Sequence, residues 1–331
     1  MNASKSTTAI PKDARIYIAG HTGLVGSAIH RGLKKAGYQN FIVRDIEELD
    51  LTDLEAVKAF FDAEKPEYVF LAAAKVGGIM ANNTYPADFF YINSAIQNNV
   101  IHQSYLHDVK RLLFLGSSCI YPRECPQPIK EEYLLSGPLE PTNRPYAIAK
   151  IAGIEMCWSY NRQYDTRYMS VMPTNLYGPG DNFDLKTSHV LPAIIRKMHE
   201  AKDAGSDSMT LWGTGSPKRE FLFSEDLADA VIFLMNLPDD TFRELTGDEE
   251  HPPLINIGCG EDQTIAELAE VVRDVVGFEG KIDWDTSKPD GTPRKLLDVS
   301  RLFDLGWRPS VPLREGIQRA YDHFLEKYVQ V

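Results

Sequence analysis

Short apolar runs and amphipathic stretches take turns along the first half of the chain, the pattern of strands buried on both faces with helices laid over them. Arg15-Ile16-Tyr17-Ile18-Ala19 is predicted as the first buried strand, and the helical pattern after it runs through Leu33 and stops near Gly37. Phe41–Arg44, Tyr68–Ala74, Arg111–Gly116 and Tyr168–Met172 read as further strands, with helices over Asp53–Phe61, Ala87–His107 and Tyr146–Tyr164 between them. Such alternation predicts right-handed βαβ units and an α/β fold on a doubly wound parallel sheet.

Asn175–Pro217 is richer in Gly, Pro and polar residues and breaks the rhythm. Glu220–Phe223 and the helix Ser224–Met235 read as a return to the main sheet, and Leu254–Ile257 as its last strand. The expected organisation is a disordered extension over residues 1–13, a main domain over 14–175 plus 220–259, and a smaller interleaved C-terminal α/β substrate domain over 176–219 plus 260–331. Helices near Thr264–Val276 and Leu313–Tyr328 belong to the smaller domain in this reading.

Composition narrows the class. Against 47 Asp+Glu stand 35 Lys+Arg, a net charge of −12, which argues against the broad cationic face of a nucleic-acid coat or a polybasic membrane binder. No run approaches about 18 unbroken apolar residues, and Met1–Asp13 lacks the apolar stretch of a secretory signal. Cys119, Cys125, Cys157 and Cys259 form no CxxC pair, as expected of reduced thiols in a cytoplasmic protein.

Gly20, Gly23 and Gly26 form a GxxGxxG turn between the first strand and its helix. The first allows the tight turn, the second lets the backbone approach a pyrophosphate, and the third lets helix and strand pack closely, with the helix N-terminus holding the anion. A glycine-rich turn without a ligand is the plain alternative; the setting inside a βαβ unit favours a dinucleotide-binding (Rossmann) sheet. Where an acidic residue would grip the ribose stands Arg44, 24 residues after Gly20. An arginine accepts a 2′-phosphate and favours NADP(H), and Asp45 beside it would reverse the preference if it faced the ribose instead.

Tyr146 and Lys150 lie one helical turn apart in a Tyr-x-x-x-Lys pair. A lysine ammonium beside a phenol lowers its pKa, so the phenol can exchange a proton with a carbonyl oxygen near neutral pH. Alone, such a pair is usually an exposed face. Ser117 changes the picture, because it follows a parallel strand at the carboxyl end where such sheets bind ligands.

With these features, Ala72–Gly78, Asn82–Pro86, Leu115–Pro122, Glu140–Asn143, Pro173–Pro179 and Ser188–Val190 resemble the GDP-L-fucose synthase family of extended short-chain dehydrogenase/reductases. The resemblance runs from about Arg15 to the last helix. It implies a bifunctional enzyme that epimerises C3 and C5 of GDP-4-keto-6-deoxy-D-mannose and then reduces C4 with NADPH. It also implies a cytoplasmic homodimer whose partner is a small-molecule GDP-sugar, with no nucleic acid and no membrane. By the same resemblance, Tyr146 donates the proton to the C4 oxygen with Ser117 supporting it. Gly20, Thr22, Gly23, Leu24, Val25 and Gly26 meet the cofactor, as do Asp50, Leu51, Ala73, Leu115, Gly116, Ser117, Tyr146, Lys150, Pro173, Asn175, Leu176 and His189. Ser117, Asn175, Val190, Lys197, Trp212, Arg219 and Asp290 meet the substrate. Thr22 and Ile46 depart from the pattern, since some members carry arginine there.

Protons alpha to a ketone are acidic enough to exchange, so inverting C3 and C5 needs one group to remove a proton and another to return it on the opposite face. Cys119, two residues after Ser117, is a competent base once its thiol is ionised, and His189 can shuttle a proton near pH 7. Read singly, one is a small buried hydrophobe and the other a satisfied side chain; the resemblance puts both at catalytic positions. No metal is expected, since Tyr146 and Ser117 can hold an enolate oxygen.

For the diphosphate, Lys186, Arg196, Lys197, Lys218, Arg219, Lys288, Arg294 and Lys295 are candidates, with Trp212 for stacking. Residues 186–222 hold six Lys/Arg against four Asp/Glu and residues 281–301 five against four, so these segments carry +3 and the remainder −15. Rival readings are a GDP-L-colitose synthase acting on a 3,6-dideoxy sugar, an NAD-dependent nucleotide-sugar 4-epimerase or 4,6-dehydratase, and a catalytically silent redox sensor.

Overall fold

The computed structural model describes residues 10–185, 187–288 and 290–329, apart from the side chain of Ile79. The chain runs through β1 (Ile16–Ala19), α1 (Leu24–Lys35), β2 (Phe41–Ile42), α2 (Leu54–Glu64), β3 (Tyr68–Leu71), α3 (Ile79–Thr84), α4 (Pro86–Leu106), β4 (Arg111–Leu115), α5 (Arg144–Tyr164) and β5 (Tyr168–Pro173). It continues through β6 (Asn175–Tyr177), α6 (Val190–Asp203), β7 (Ser208–Trp212), β8 (Lys218–Arg219), β9 (Phe221–Phe223), α7 (Ser224–Met235), α8 (Asp239–Thr246) and β10 (Leu254–Ile257). The last elements are β11 (Gln263–Thr264), α9 (Ile265–Val276), β12 (Lys281–Asp285), β13 (Arg294–Lys295), α10 (Ser300–Asp304) and α11 (Leu313–Tyr328).

Strand alternation builds two cores at once. Ile16 and Ile18 of β1 join a core covered by α1 and α7, while Tyr17 and Ala19 face the core under α2, α4 and α5. Six parallel strands lie in the order β10-β5-β4-β3-β1-β2. After β2 the chain crosses back over β1 to begin β3, so the winding reverses between β1 and β3. The loops leaving the carboxyl ends of those two strands meet at that reversal, the place where such sheets bind ligands.

A third core gathers Ile194 and Ile195 of α6, Leu268 and Val272 of α9, and Ile317 and Phe324 of α11. Three short sheets surround it: β6 with β9, β7 with β12, and β11-β8-β13. The expected return of Glu220–Phe223 to the main sheet is corrected here, since β9 pairs in parallel with β6 alone. Its side chains explain this: Phe221 and Phe223 enter the third core and only Leu222 enters the main one. Helix α7 does return, lying against α1 over the main sheet. Leu297, Val299, Leu302 and Trp307 also pack into the main cores, so the C-terminal stretch is not wholly given to the third. The expected disorder up to Asp13 gives way at Ile10, which is buried and donates its amide to Asn236 Oδ1 at 3.0 Å; residues 1–9 lie outside the described residues.

Candidate active site

The glycine loop sits at the sheet's reversal point. Gly20 has φ +82°, and a β-carbon on it would stand 2.8 Å from the Ala73 backbone nitrogen, so the loops after β1 and β3 touch there. A β-carbon on Gly26 would collide with the Gly20 carbonyl, which is why α1 can pack so close to its strand. Gly23 is the N-cap of α1, with no side-chain cap and no acidic residue in the first turn. The leading amides of this 12-residue helix are thus left to an anion. These residues fit a dinucleotide pyrophosphate.

Farther out, Arg44 donates to the Val43 carbonyl at 2.7 Å and pairs with Glu64 near the end of α2. Asp45 accepts the Glu48 amide at 3.0 Å. Both residues at the cofactor-selecting position therefore hold local bonds. Asp50 likewise accepts from Thr52 at 2.8 and 2.7 Å, and the Leu51 carbonyl accepts from Asn99 at 2.9 Å. Thr22 lies exposed on the glycine loop, with Leu24 and Val25 half-buried behind it.

Ser117, Cys119, Tyr146 and Lys150 come together past the ends of β4 and β5. Ser117 caps the short turn Ser118–Ile120, its Oγ accepting the Cys119 amide at 3.4 Å. It also lies close enough to the Tyr146 phenol to favour its ionised form, and the Tyr146 ring meets Phe89 edge-on at 6.2 Å between centroids. Lys150 is buried; its Nζ donates to the Leu115 carbonyl at 2.7 Å and lies 4.7 Å from the centre of the Phe114 ring. Burial lowers this lysine from its ordinary 10.5 to about 8, with the Cys119 charge opposing.

The electrostatics correct one expectation. Burial raises the Tyr146 phenol, the Cys119 charge adds to that, and Ser117 rather than Lys150 pulls the other way. The ammonium lies 5.8 Å from the centre of the ring and spends its hydrogen bond on Leu115, so the lowered phenol expected from the Tyr-Lys spacing is absent. Burial also raises the Cys119 thiol, against Lys295, Ser117 and Lys150 in that order. His189 is the N-cap of α6 and more exposed, yet desolvation and then Lys295 hold its imidazole below the usual range. The loop before it reaches back over the site, the Thr187 carbonyl accepting the Gly78 amide at 3.3 Å.

Pro173, Asn175 and Leu176 line the junction of β5 and β6, where Asn175 Nδ2 donates to the Glu220 carbonyl at 2.8 Å. Gly116 lies against Met172. Toward the third core, Trp212 is exposed, with Lys197 Nζ 5.3 Å and Lys288 Nζ 5.7 Å from its ring centre. Asp290 accepts from Thr214 at 2.9 and 2.7 Å and faces Arg219, and Val190 opens α6 with an exposed side chain. Two phosphate candidates are committed elsewhere: Arg196 pairs with Glu200 at 2.7 Å and Arg294 with Asp262 at 2.5 Å. Lys218 is exposed on β8, and Lys186 lies outside the described residues.

Lys295 lines a small cleft beside Cys119, with Glu140 and Asn143. Sequence reasoning missed that role for all three. Glu140 and Asn143 lay in a family-like stretch without a chemical motif, and nothing in sequence distance brings residue 295 to residue 119.

The NAD dependent epimerase/dehydratase family matches residues 16–258. A GDP-L-fucose synthase of Arabidopsis thaliana is 58% identical over 95% of this chain and 94% of its own length. The GDP-L-fucose synthase of Escherichia coli is 54% identical over 94% and 97%. A GDP-L-colitose synthase of Yersinia pseudotuberculosis is more distant, at 36% over 95% and 98%. Among solved structures, an NADP-bound GDP-L-fucose synthetase from Naegleria fowleri superposes with a TM-score of 0.88 at 29% identity, over 99% of this chain and 97% of that one.

Proposed function

Because the chain belongs to the NAD dependent epimerase/dehydratase family, and within it to the GDP-L-fucose synthases, we propose that its Ser117–Cys119–Tyr146–Lys150 cluster carries out both halves of that synthesis in one pocket. The protein is an NADP-dependent enzyme that converts GDP-4-keto-6-deoxy-D-mannose to GDP-L-fucose. Gly20, Gly23 and the α1 N-terminus would hold NADPH, which would supply the hydride for C4.

The residues divide the work by position. Ser117 and Tyr146, neighbours in the pocket, hold the C4 oxygen and so stabilise an enolate there. Cys119, on the turn that Ser117 caps, removes the proton alpha to the ketone. His189 returns a proton from the opposite side, at C3 and again at C5. Reduction comes last, because the ketone must survive until both carbons have exchanged. Tyr146 then gives its proton to the C4 oxygen, and Lys150, poised near pH 8, is the neighbouring charge that titrates in the working range.

At the substrate end, Trp212 offers a face for a ring, Lys197 and Arg219 offer charge to the diphosphate, and Asp290 offers acceptors to a polar edge. Residues 176–219 and 260–331 form the substrate domain in this reading. A homodimer is proposed with a second copy on α4 and α5, whose exposed Phe90, Tyr91, Ile148 and Tyr164 support it. Four free thiols support a cytoplasmic setting, and no helix among the described residues is long and apolar enough to cross a membrane.

The juxtaposition of Cys119 with the Ser117–Tyr146 pair carries this proposal. Its test is solvent deuterium entry at C3 and C5 with Cys119→Ser. Loss of exchange by about a hundredfold or more, with oxidation of GDP-L-fucose by NADP+ retained, is expected. Exchange at the wild-type rate would remove Cys119 as the base.

A further inference from the structure

Arg123, Arg294 and Lys295 line the cleft that holds Cys119, and of these Lys295, far away in sequence, is the one whose charge acts on the thiol. Three of this lysine's charged neighbours are already engaged. On the same strand Arg294 grips Asp262 through Nε at 2.5 Å. Across the ladder its register partner Arg219 donates to the Lys218 carbonyl at 2.7 Å and faces Asp290. Glu140, in the same cleft, has its carboxylate taken by the Thr142 amide and hydroxyl and the Asn143 amide. Among the described residues no ion pair or hydrogen bond engages Lys295 Nζ. Burial, the largest influence, lowers the Lys295 ammonium from its ordinary range; Cys119, Cys125 and Glu140 attract its charge and Arg219 and His189 repel it. Facing Cys119 itself are Lys295, Lys150, Ser117 and Tyr146. Of these, Lys295 is the strongest influence opposing the burial that keeps the thiol protonated.

An unpaired ammonium held in a protein cleft is costly to keep and is retained where a negative charge develops opposite it. We propose that Lys295 is a positioning residue of the epimerisation half-reaction: its ammonium stabilises the Cys119 thiolate that takes the proton alpha to the ketone. The thiol proton first leaves to solvent, leaving thiolate opposite ammonium. On attack an S–H bond forms, the C–H bond breaks, and its electron pair moves into the enolate whose oxygen Ser117 and Tyr146 hold. His189 then supplies the proton that forms the new C–H bond. Lys295 takes no part in delivering hydride to C4.

The inference rests on Cys119 as the base, and the experiment separates the two ideas. Iodoacetamide alkylation of Cys119, located by peptide mass spectrometry from about pH 6.5 to 9.5, reads thiolate directly. In Lys295→Met the alkylation midpoint should rise by about one pH unit or more, a roughly tenfold loss of thiolate at neutral pH. Deuterium entry at C3 and C5 should fall in parallel, while NADP+-dependent oxidation of GDP-L-fucose stays within about threefold of wild type. Lys295→Arg, which keeps the charge, should recover most of the alkylation rate, and it carries the test if the methionine variant does not fold. An unchanged alkylation profile in folded Lys295→Met, or Lys295→Arg alkylating no faster than the methionine variant, would overturn the proposal. If the midpoint shifts but Cys119→Ser keeps its deuterium exchange, the electrostatic role of Lys295 stands and the base is another group.

Discussion

Replacing Lys150 with methionine should stabilise the folded chain at neutral pH while removing the reductase. Lys150 is 3% exposed, and burial brings it from 10.5 down to about 8. Below about pH 8 the folded protein therefore carries a charge that the unfolded chain carries more cheaply. The gap of about 2.5 pH units, at about 1.4 kcal/mol each, withholds roughly 3 kcal/mol of stability. That penalty is complete below about pH 8 and fades as pH climbs toward 10.5, where both states hold a neutral amine. Methionine fills the site without charge but leaves the Leu115 carbonyl without its 2.7 Å donor, a loss of about 1–2 kcal/mol. The net is a gain of about 1–2 kcal/mol near pH 7 that turns into a similar loss near pH 10.5. Thermal melts of both proteins at several pH values, followed by circular dichroism, measure the crossing; each kcal/mol moves Tm by about 2–4 °C. Titrating groups far from Lys150 are common to both proteins and cancel in the difference, and a Cys119→Ser background removes the one thiol that couples to it. A variant less stable than wild type at pH 7, or a difference that does not change with pH, would refute the reasoning.

Tyr146→Phe removes the proposed proton donor but keeps the ring against Phe89. Its C4 reduction should drop about a hundredfold to ten-thousandfold with little change in Tm, and near-normal kcat would assign the proton elsewhere. Burial raises the Asp181 carboxyl from 3.8 to about 7, and its Oδ2 has no partner among the described residues. The folded state thus holds that proton more tightly than the unfolded chain, so this group's contribution is lost as pH rises through about 7. Asp181→Asn should flatten the loss and raise Tm at about pH 8; a variant that still declines in parallel with wild type speaks against it. Trp212→Ala should raise KM for the GDP-sugar by about fivefold to a hundredfold, the worth of one stacked ring, with kcat little altered. An unchanged KM would move the base away from this indole.

The main fold was legible because its signals are local. The apolar run Ile16–Ala19 and the glycine spacing at 20, 23 and 26 each act over a few residues, and the structure has the buried strand and the close strand-to-helix turn they predict. β9 was misplaced because an apolar triplet does not say which of two cores it serves, and Phe221-Leu222-Phe223 serves both. The candidate catalytic side chains were named from short motifs and resemblance, but their charge states were not visible there. A Tyr-Lys spacing suggests a lowered phenol; only the three-dimensional arrangement reveals that Lys150 turns to Leu115 and that burial dominates. Arg44 was read as a group able to meet a 2′-phosphate, and the sequence did not show that Glu64, one helix away, also pairs with it. Lys295 is the extreme case, a partner for Cys119 contributed by a two-residue strand of the other core.

The most direct test is incubation of the protein in D2O with GDP-4-keto-6-deoxy-D-mannose and NADPH, with the product sugar read by NMR. The account predicts GDP-L-fucose with deuterium at both C3 and C5 and one NADPH consumed per sugar. A product reduced at C4 without inversion or deuterium at C3 and C5 would contradict it.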